Sequence, residues 1–177
     1  MKNRIMIDCE TLGTNVDSQI VSIGACAFDI LGNTHKELHE HILMDMDAHI
    51  NATPGTIKFW MEQARDNYLA VATTFNNPDR VKMPMALQKL GNLVREYPDA
   101  EIWANGTKFD IAMLEYQYKL HDMPVPWKHN SDRCMRTLRA YFPVSLEFEG
   151  IQHNALDDAI YQAKYVAKSL RHAGFNS

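Results

Sequence analysis

Cysteine is scarce in this sequence, and its pattern removes two chemistries. The three cysteines, Cys9, Cys26 and Cys134, are odd in number, lie far apart and show no CxxC spacing. Neither a disulfide framework nor a thiolate zinc site is expected, and a reducing cytoplasm is the expected setting. Long apolar runs are missing too. None reaches the roughly 18 to 20 residues of a membrane span, and the amino terminus passes into a strand-like segment without the layout of a signal peptide. The expectation is a soluble, intracellular chain with no membrane contact. Positive charge is not in excess. A formal net charge of −4 argues against an electrostatically driven nucleic-acid coat protein, although an enzyme that gathers carboxylates around cations can be acidic overall.

What is present has the composition of one globular domain spanning residues 1–177, with 46% hydrophobic and 23% charged residues and no repeat or low-complexity tract. Arg4 to Glu10 alternate, with Ile5, Ile7 and Cys9 on one side and Met6, Asp8 and Glu10 on the other, as in a strand with one buried face. Ile20 to Phe28 read as a second strand. A turn through Leu31-Gly32-Asn33 leads to a third near Thr34 to Leu43, so the opening is an antiparallel meander.

The pattern then changes. Thr53 is expected to cap a helix with Pro54 at its first position, and Ile57, Trp60, Met61 and Ala64 follow helical spacing. After a loop bearing Asn76-Asn77-Pro78, residues 84–97 place Met85, Leu87, Leu90, Leu93 and Val94 on one stripe, which Pro98 stops. A buried strand over Glu101 to Asn105, a helix over 108–121, a Pro124-Val125-Pro126 loop, a short segment near Asp132 and a last helix over 155–171 complete the reading. The expected class is α/β, a mixed central sheet flanked by helices.

The chemistry lies in acids at element ends. Asp8 and Glu10, two residues apart on a strand, project from one face at its carboxyl end, which suits either two solvated acids or half of a metal site. Asp110 opens a helix, where Thr107 and Asp110 match a capping signature. Asn154 and Asp157 match another, which leaves Asp158 unneeded for capping and His153 just outside the helix. Hard oxygen donors without a cysteine cluster suit Mg²⁺ or Mn²⁺. Two such ions about 4 Å apart can clamp the attacking and leaving oxygens of a phosphodiester.

Taken in order, Asp8-Cys9-Glu10-Thr11-Leu12-Gly13, Phe109-Asp110 and His153 through Asp158, an H-x4-D motif, resemble the three motifs of the DEDDh exonuclease superfamily, which includes ribonuclease T and polymerase proofreading domains. The match spans nearly the whole chain. Ile102-Trp103-Ala104-Asn105-Gly106, Asp132-Arg133 and His153 through Ala159 look most like the small phage-type branch. The resemblance implies a ribonuclease H-like fold and 3′-to-5′ exonuclease activity on single-stranded nucleic acid, with DNA slightly ahead of RNA and 5′ mononucleotides as product. It implies two ions, one held by Asp8, Glu10 and Asp158, the second by Asp8 and Asp110, with His153 as general base for the attacking water. It also implies substrate contacts from Thr11 and Leu12, through backbone amides and an apolar wedge, and from Asn105. Dimers are familiar among such relatives, so a homodimer is the partner to look for.

Other residues have two readings each. Trp60 either stacks on a base or fills the core. Arg133, Arg136 and Arg139 recur every third residue, so one helical face either meets phosphates or is a solvated basic face. His35, His39 and His41 share a strand parity that raises a zinc site against a structural role. Three other functions are weighed: an RNA-trimming exoribonuclease, a catalytically silent nucleic-acid-binding module, against which all five motif residues argue, and a proofreading subunit, for which no docking tail follows the last helix.

Overall fold

The computed structural model describes residues 3–44 and 50–176. Three strands open it, β1 (Arg4–Thr11), β2 (Ile20–Phe28) and β3 (Thr34–Ile42), as an antiparallel meander. Then follow α1 (Pro54–Asp66), α2 (Tyr68–Phe75), β4 (Arg80–Val81), α3 (Met83–Glu96), β5 (Glu101–Ala104), α4 (Asp110–Leu120), β6 (Asp132–Cys134), α5 (Met135–Tyr141) and α6 (Ala155–His172). The sheet runs β4-β3-β2-β1-β5-β6, with β1, β5 and β6 mutually parallel and β4 parallel to β3. This is the mixed, helix-flanked sheet expected of the α/β class. Among the described residues no helix is long and apolar enough to cross a membrane.

β1 is more buried than its alternation predicts. Ile5, Ile7 and Cys9 face a core built with Ile23, Ile102, Leu87 and Leu90 of α3 and Leu114 of α4. On the other face, Met6 packs with Cys26, Trp103 and the α6 residues Ala159, Ala163 and Val166. A central strand covered on both faces needs no polar side, so only its last acids break the apolar run. The small residues Ala159 and Ala163 let α6 lie close against the sheet. Burying a Leu or Ile side chain in such a layer contributes about 1.5–3 kcal/mol.

Several local expectations are corrected. Thr53 makes no side-chain cap to α1, its hydroxyl pairing with that of Thr56 at 2.9 Å, and only Pro54 behaves as predicted. The α1 stripe is not a core face. Ile57 and Met61 are exposed, whereas Trp60 is buried and donates its Nε1–H to the Thr11 carbonyl at 2.8 Å, which favours packing over base stacking. Met85 is likewise exposed while Leu87, Leu90, Leu93 and Val94 are buried. Arg133 lies on β6 and Arg136 and Arg139 on α5, so the three arginines do not share one helical face.

Candidate active site

β1 carries Asp8 and Glu10 to the carboxyl end of the sheet's centre, with Glu10 buried. α4 starts beside them. Asp110, 3% exposed, does not pair with Thr107 in a cap. Phe109 occupies the N-cap position without a side-chain bond, and Asp110 Oδ1 accepts the Cys9 amide across 3.1 Å. The acid at the head of α4 is thereby tied to the strand that bears the other two.

α6 supplies the remaining pair. Asn154 caps it, its Oδ1 accepting the amides of Leu156 and Asp157, each at 3.2 Å. The cap leaves Asp158 free to turn back, and its Oδ2 accepts the His153 amide at 2.8 Å. His153 has φ +64°, a left-handed conformation that places its side chain beside the helix start. The α1–α2 pair holds this loop from outside: Phe59 meets the His153 ring edge-on at 4.9 Å, Asn67 Nδ2 donates to the Gln152 carbonyl and the Thr74 hydroxyl to that of His153. Donor atoms of Glu10, His153 and Asp158 all lie within 4.8 Å of one another, and among the described residues no other group of three or more His, Cys, Asp or Glu is so placed.

Two residues that the sequence reading passed over build this arrangement. Gly24 sits opposite Asp8 in the β1–β2 pairing, and a Cβ there would lie 2.1 Å from the Ala155 carbonyl carbon and oxygen, so only glycine lets the head of α6 reach the sheet. Gln162, one turn beyond Asp158 and buried, donates Nε2–H to Asp8 Oδ1 at 2.7 Å. Its signal was a polar residue four after an acid on a stripe otherwise of alanines.

The cluster is electrostatically strained. Burial first, then the charges of Asp110, Glu10 and Asp158, push Asp8 well above the usual carboxylate range, against the hydrogen bond from Gln162. Burial, then Asp158 and Asp110, push Glu10 up to about 8. Burial raises Asp110 to about 7, opposed by the amides of Cys9, Asp110 and Gly106 and by Arg136. Burial also raises Asp158 to about 6. Four acids that resist ionising together make a site for positive charge, and their hard oxygens fit a divalent cation of the Mg²⁺ or Mn²⁺ kind.

The three residues expected to contact substrate are placed less openly. The buried Thr11 hydroxyl donates to the Gly13 carbonyl at 2.7 Å. The Leu12 amide donates to the Gln19 carbonyl at 2.8 Å, and its side chain packs with Val21 and Trp60, so neither its amide nor its wedge stands free. Asn105 is half-buried, with its side-chain oxygen enclosed and unpartnered. The histidines of β3 have their own contacts. His35 faces Asp29, His39 Nε2 meets the Ser22 hydroxyl at 3.1 Å, and the His39 and His41 rings lie 4.3 Å apart.

Solved structures share this fold at low identity. The nuclease domain of 3′hExo, a DEDDh family member bound to rAMP, is 12% identical with a TM-score of 0.63, over 96% of this chain and 92% of that one. Product-bound exonuclease I is 14% identical with a TM-score of 0.63, over 98% of this chain. Exonuclease I of E. coli with a dA16 oligonucleotide is 16% identical with a TM-score of 0.66, over 97% of this chain. This chain spans only 43% and 42% of those two exonuclease I chains. No curated protein matches. Residues 3–170 match the model of the 3′-5′ exoribonuclease Rv2179c-like domain, and the chain belongs to that family.

Proposed function

We propose that this chain is a divalent-metal-dependent exonuclease that hydrolyses the 3′-terminal phosphodiester of single-stranded nucleic acid and releases 5′ mononucleotides. The observation that carries this reading is the meeting of Asp8, Glu10, Asp110 and Asp158 with His153 at one end of the sheet. Asp8, Glu10 and Asp158 would hold one Mg²⁺ or Mn²⁺, and Asp8 with Asp110 a second. Such ions supply positive charge where phosphate charge develops and at the departing 3′ oxygen.

The protein's own groups prepare the rest. Gln162 occupies one oxygen of Asp8 and so fixes its rotamer. The Cys9 amide does the same for Asp110, and the His153 amide for Asp158. Burial pushes the His153 imidazole below its ordinary value, so it is neutral at physiological pH and able to accept a proton from the attacking water.

DNA stood slightly ahead in the sequence reading. The family's description as an exoribonuclease domain moves RNA to first place. The test is incubation with 3′- and 5′-labelled RNA and DNA, single- and double-stranded, with Mg²⁺, Mn²⁺ or EDTA. The expected result is shortening from the 3′ end, fastest on single strands, and none in EDTA. Release from the 5′ end first, or full activity after exhaustive chelation, overturns the reading.

A further inference from the structure

The three arginines singled out by their spacing are not equivalent. Arg133 is committed to Glu101, its Nε donating to Oε1 at 3.2 Å. Arg139 lies over the Tyr165 ring, 5.8 Å from its centroid. Arg136 is exposed, and no ion pair or side-chain hydrogen bond to a described residue engages its guanidinium.

Its position is nonetheless fixed. The Arg136 amide donates to the Asn105 carbonyl at 3.1 Å, fastening the start of α5 to the end of β5. A Cβ on Gly106 would lie 3.4 Å from the guanidinium carbon and Nη1, so the side chain is laid across the glycine. The Gly106 amide in turn faces the Asp110 carboxylate. One residue therefore separates the free guanidinium from a proposed metal-holding acid. An acid-lined site that receives a polyanion needs cationic groups outside the cluster to hold the strand. A guanidinium is suited to this, since its planar donor fork matches the non-bridging oxygens of a phosphate.

We propose that Arg136 is a substrate-binding residue that grips a backbone phosphate adjoining the terminal linkage of the nucleic-acid strand. The proposal rests on the exonuclease reading above, and it adds a contact that the acidic motifs do not supply. Arg133 and Arg139, engaged elsewhere, take no part.

The test measures binding of a fluorescent single-stranded oligonucleotide with a free 3′ hydroxyl to the Asp8→Asn protein in Mn²⁺, alone and combined with Arg136→Ala or Arg136→Lys. Arg136→Ala should weaken binding by about ten- to a hundredfold. It should also reduce the slope of log affinity against log salt by about 0.7, the loss of one phosphate contact on a single strand. Arg136→Lys should restore the slope but not the full affinity, because an ammonium lacks the bidentate fork. A neutral methylphosphonate placed in turn at the last three linkages should weaken binding at one of them, and Arg136→Ala should erase that penalty. An unchanged salt slope, or a methylphosphonate penalty that survives Arg136→Ala, overturns the proposal. So does a variant that shifts only the Mn²⁺ requirement, since that assigns Arg136 to steadying Asp110. If the unsubstituted protein binds strands with this Arg136 signature but cuts none, the exonuclease reading fails and the phosphate contact stands. If the Asp8→Asn protein binds no strand, both fail.

Discussion

Gln162 Nε2 donates to Asp8 Oδ1 at 2.7 Å, linking the middle of α6 to the strand at the centre of the sheet. The bond leaves the other Asp8 oxygen unclaimed by Gln162, and Gln162 Oε1 is buried without a partner. Gln162→Leu keeps the approximate volume and removes the donor. Loss of such a support for a carboxylate proposed to hold metal costs about 10- to 100-fold in metal affinity or activity. A Mn²⁺ titration of rate should move its midpoint upward by that factor. A lowered melting temperature with an unmoved midpoint would assign Gln162 to packing alone.

Gly24→Ala tests how α6 reaches the site. The added methyl would sit 2.1 Å from backbone atoms of Ala155, so the helix start must retreat and carry His153 and Asp158 with it. Overpacking of this kind costs about 1–3 kcal/mol. The expected variant melts lower but remains folded by circular dichroism and loses at least about tenfold in rate, 1.4 kcal/mol of barrier. A wild-type rate at the same metal concentration would show that the helix start need not touch the sheet.

These two residues also show where the sequence stopped being legible. The meander, the Asp8–Glu10 pair and the last helix follow from period-two and helical patterning, because each depends on neighbours in the chain. α2 has no signal in the sequence because Tyr68–Phe75 is apolar without a clear stripe, and α5 shows only as the recurrence of Arg133, Arg136 and Arg139 because its seven residues span barely two turns. Taken alone, Asp110 reads better as a helix cap than as a metal ligand, since the Cys9 amide that claims it lies 101 residues away. Gln162 and Gly24 gain their meaning only from partners distant in the chain, Asp8 for the first and the Ala155 backbone at the head of α6 for the second.

The metal-free protein should lose stability as pH rises. A carboxylate whose folded pKa exceeds its unfolded value favours the fold while protonated, so its contribution is complete below about pH 4 and is lost as pH climbs through the folded value. For Asp158, Asp110 and Glu10 those values are about 6, 7 and 8, which sets the window. Below about pH 6.5 the lowered imidazoles of His39, His41 and His153 act in the opposite sense, since each must be held neutral in the fold, so the fall in EDTA melting curves should be read between about pH 6.5 and pH 8, where Mn²⁺ should also raise the melting temperature most. A chelated protein whose melting temperature rises from about pH 6.5 to pH 8 contradicts the clustered-acid account.

Asp8→Asn should abolish turnover and leave the fold intact. The amide nearly preserves the shape of Asp8 but removes the carboxylate assigned to both ions, and with it the repulsion from Asp110, Glu10 and Asp158. The melting temperature in EDTA should therefore rise while the rate vanishes. Retention of more than about a tenth of the wild-type rate, a loss under about 1.4 kcal/mol, would remove Asp8 from that role.

His153 is assigned as general base, and its backbone complicates the usual alanine test. At φ +64° an alanine is strained, whereas asparagine tolerates the left-handed region, so His153→Asn removes the imidazole with less disturbance. The backbone amide that holds Asp158 Oδ2 at 2.8 Å is retained, so metal affinity should stay close to wild type. The maximal rate should fall by about 10²- to 10⁴-fold, the range of general acid–base catalysis. Burial places the imidazole below its ordinary value, so the wild-type rate at saturating Mn²⁺ should hold down to a pH under about 6.5 before declining as the ring protonates. That decline should be absent from the variant's profile. The competing reading, in which the ring merely packs edge-on against Phe59, predicts a lower melting temperature with the rate and its acid limb unchanged. Rate against pH, Mn²⁺ titration and melting curves on both proteins separate the two. An acid limb of identical position in His153→Asn would take the residue out of the mechanism.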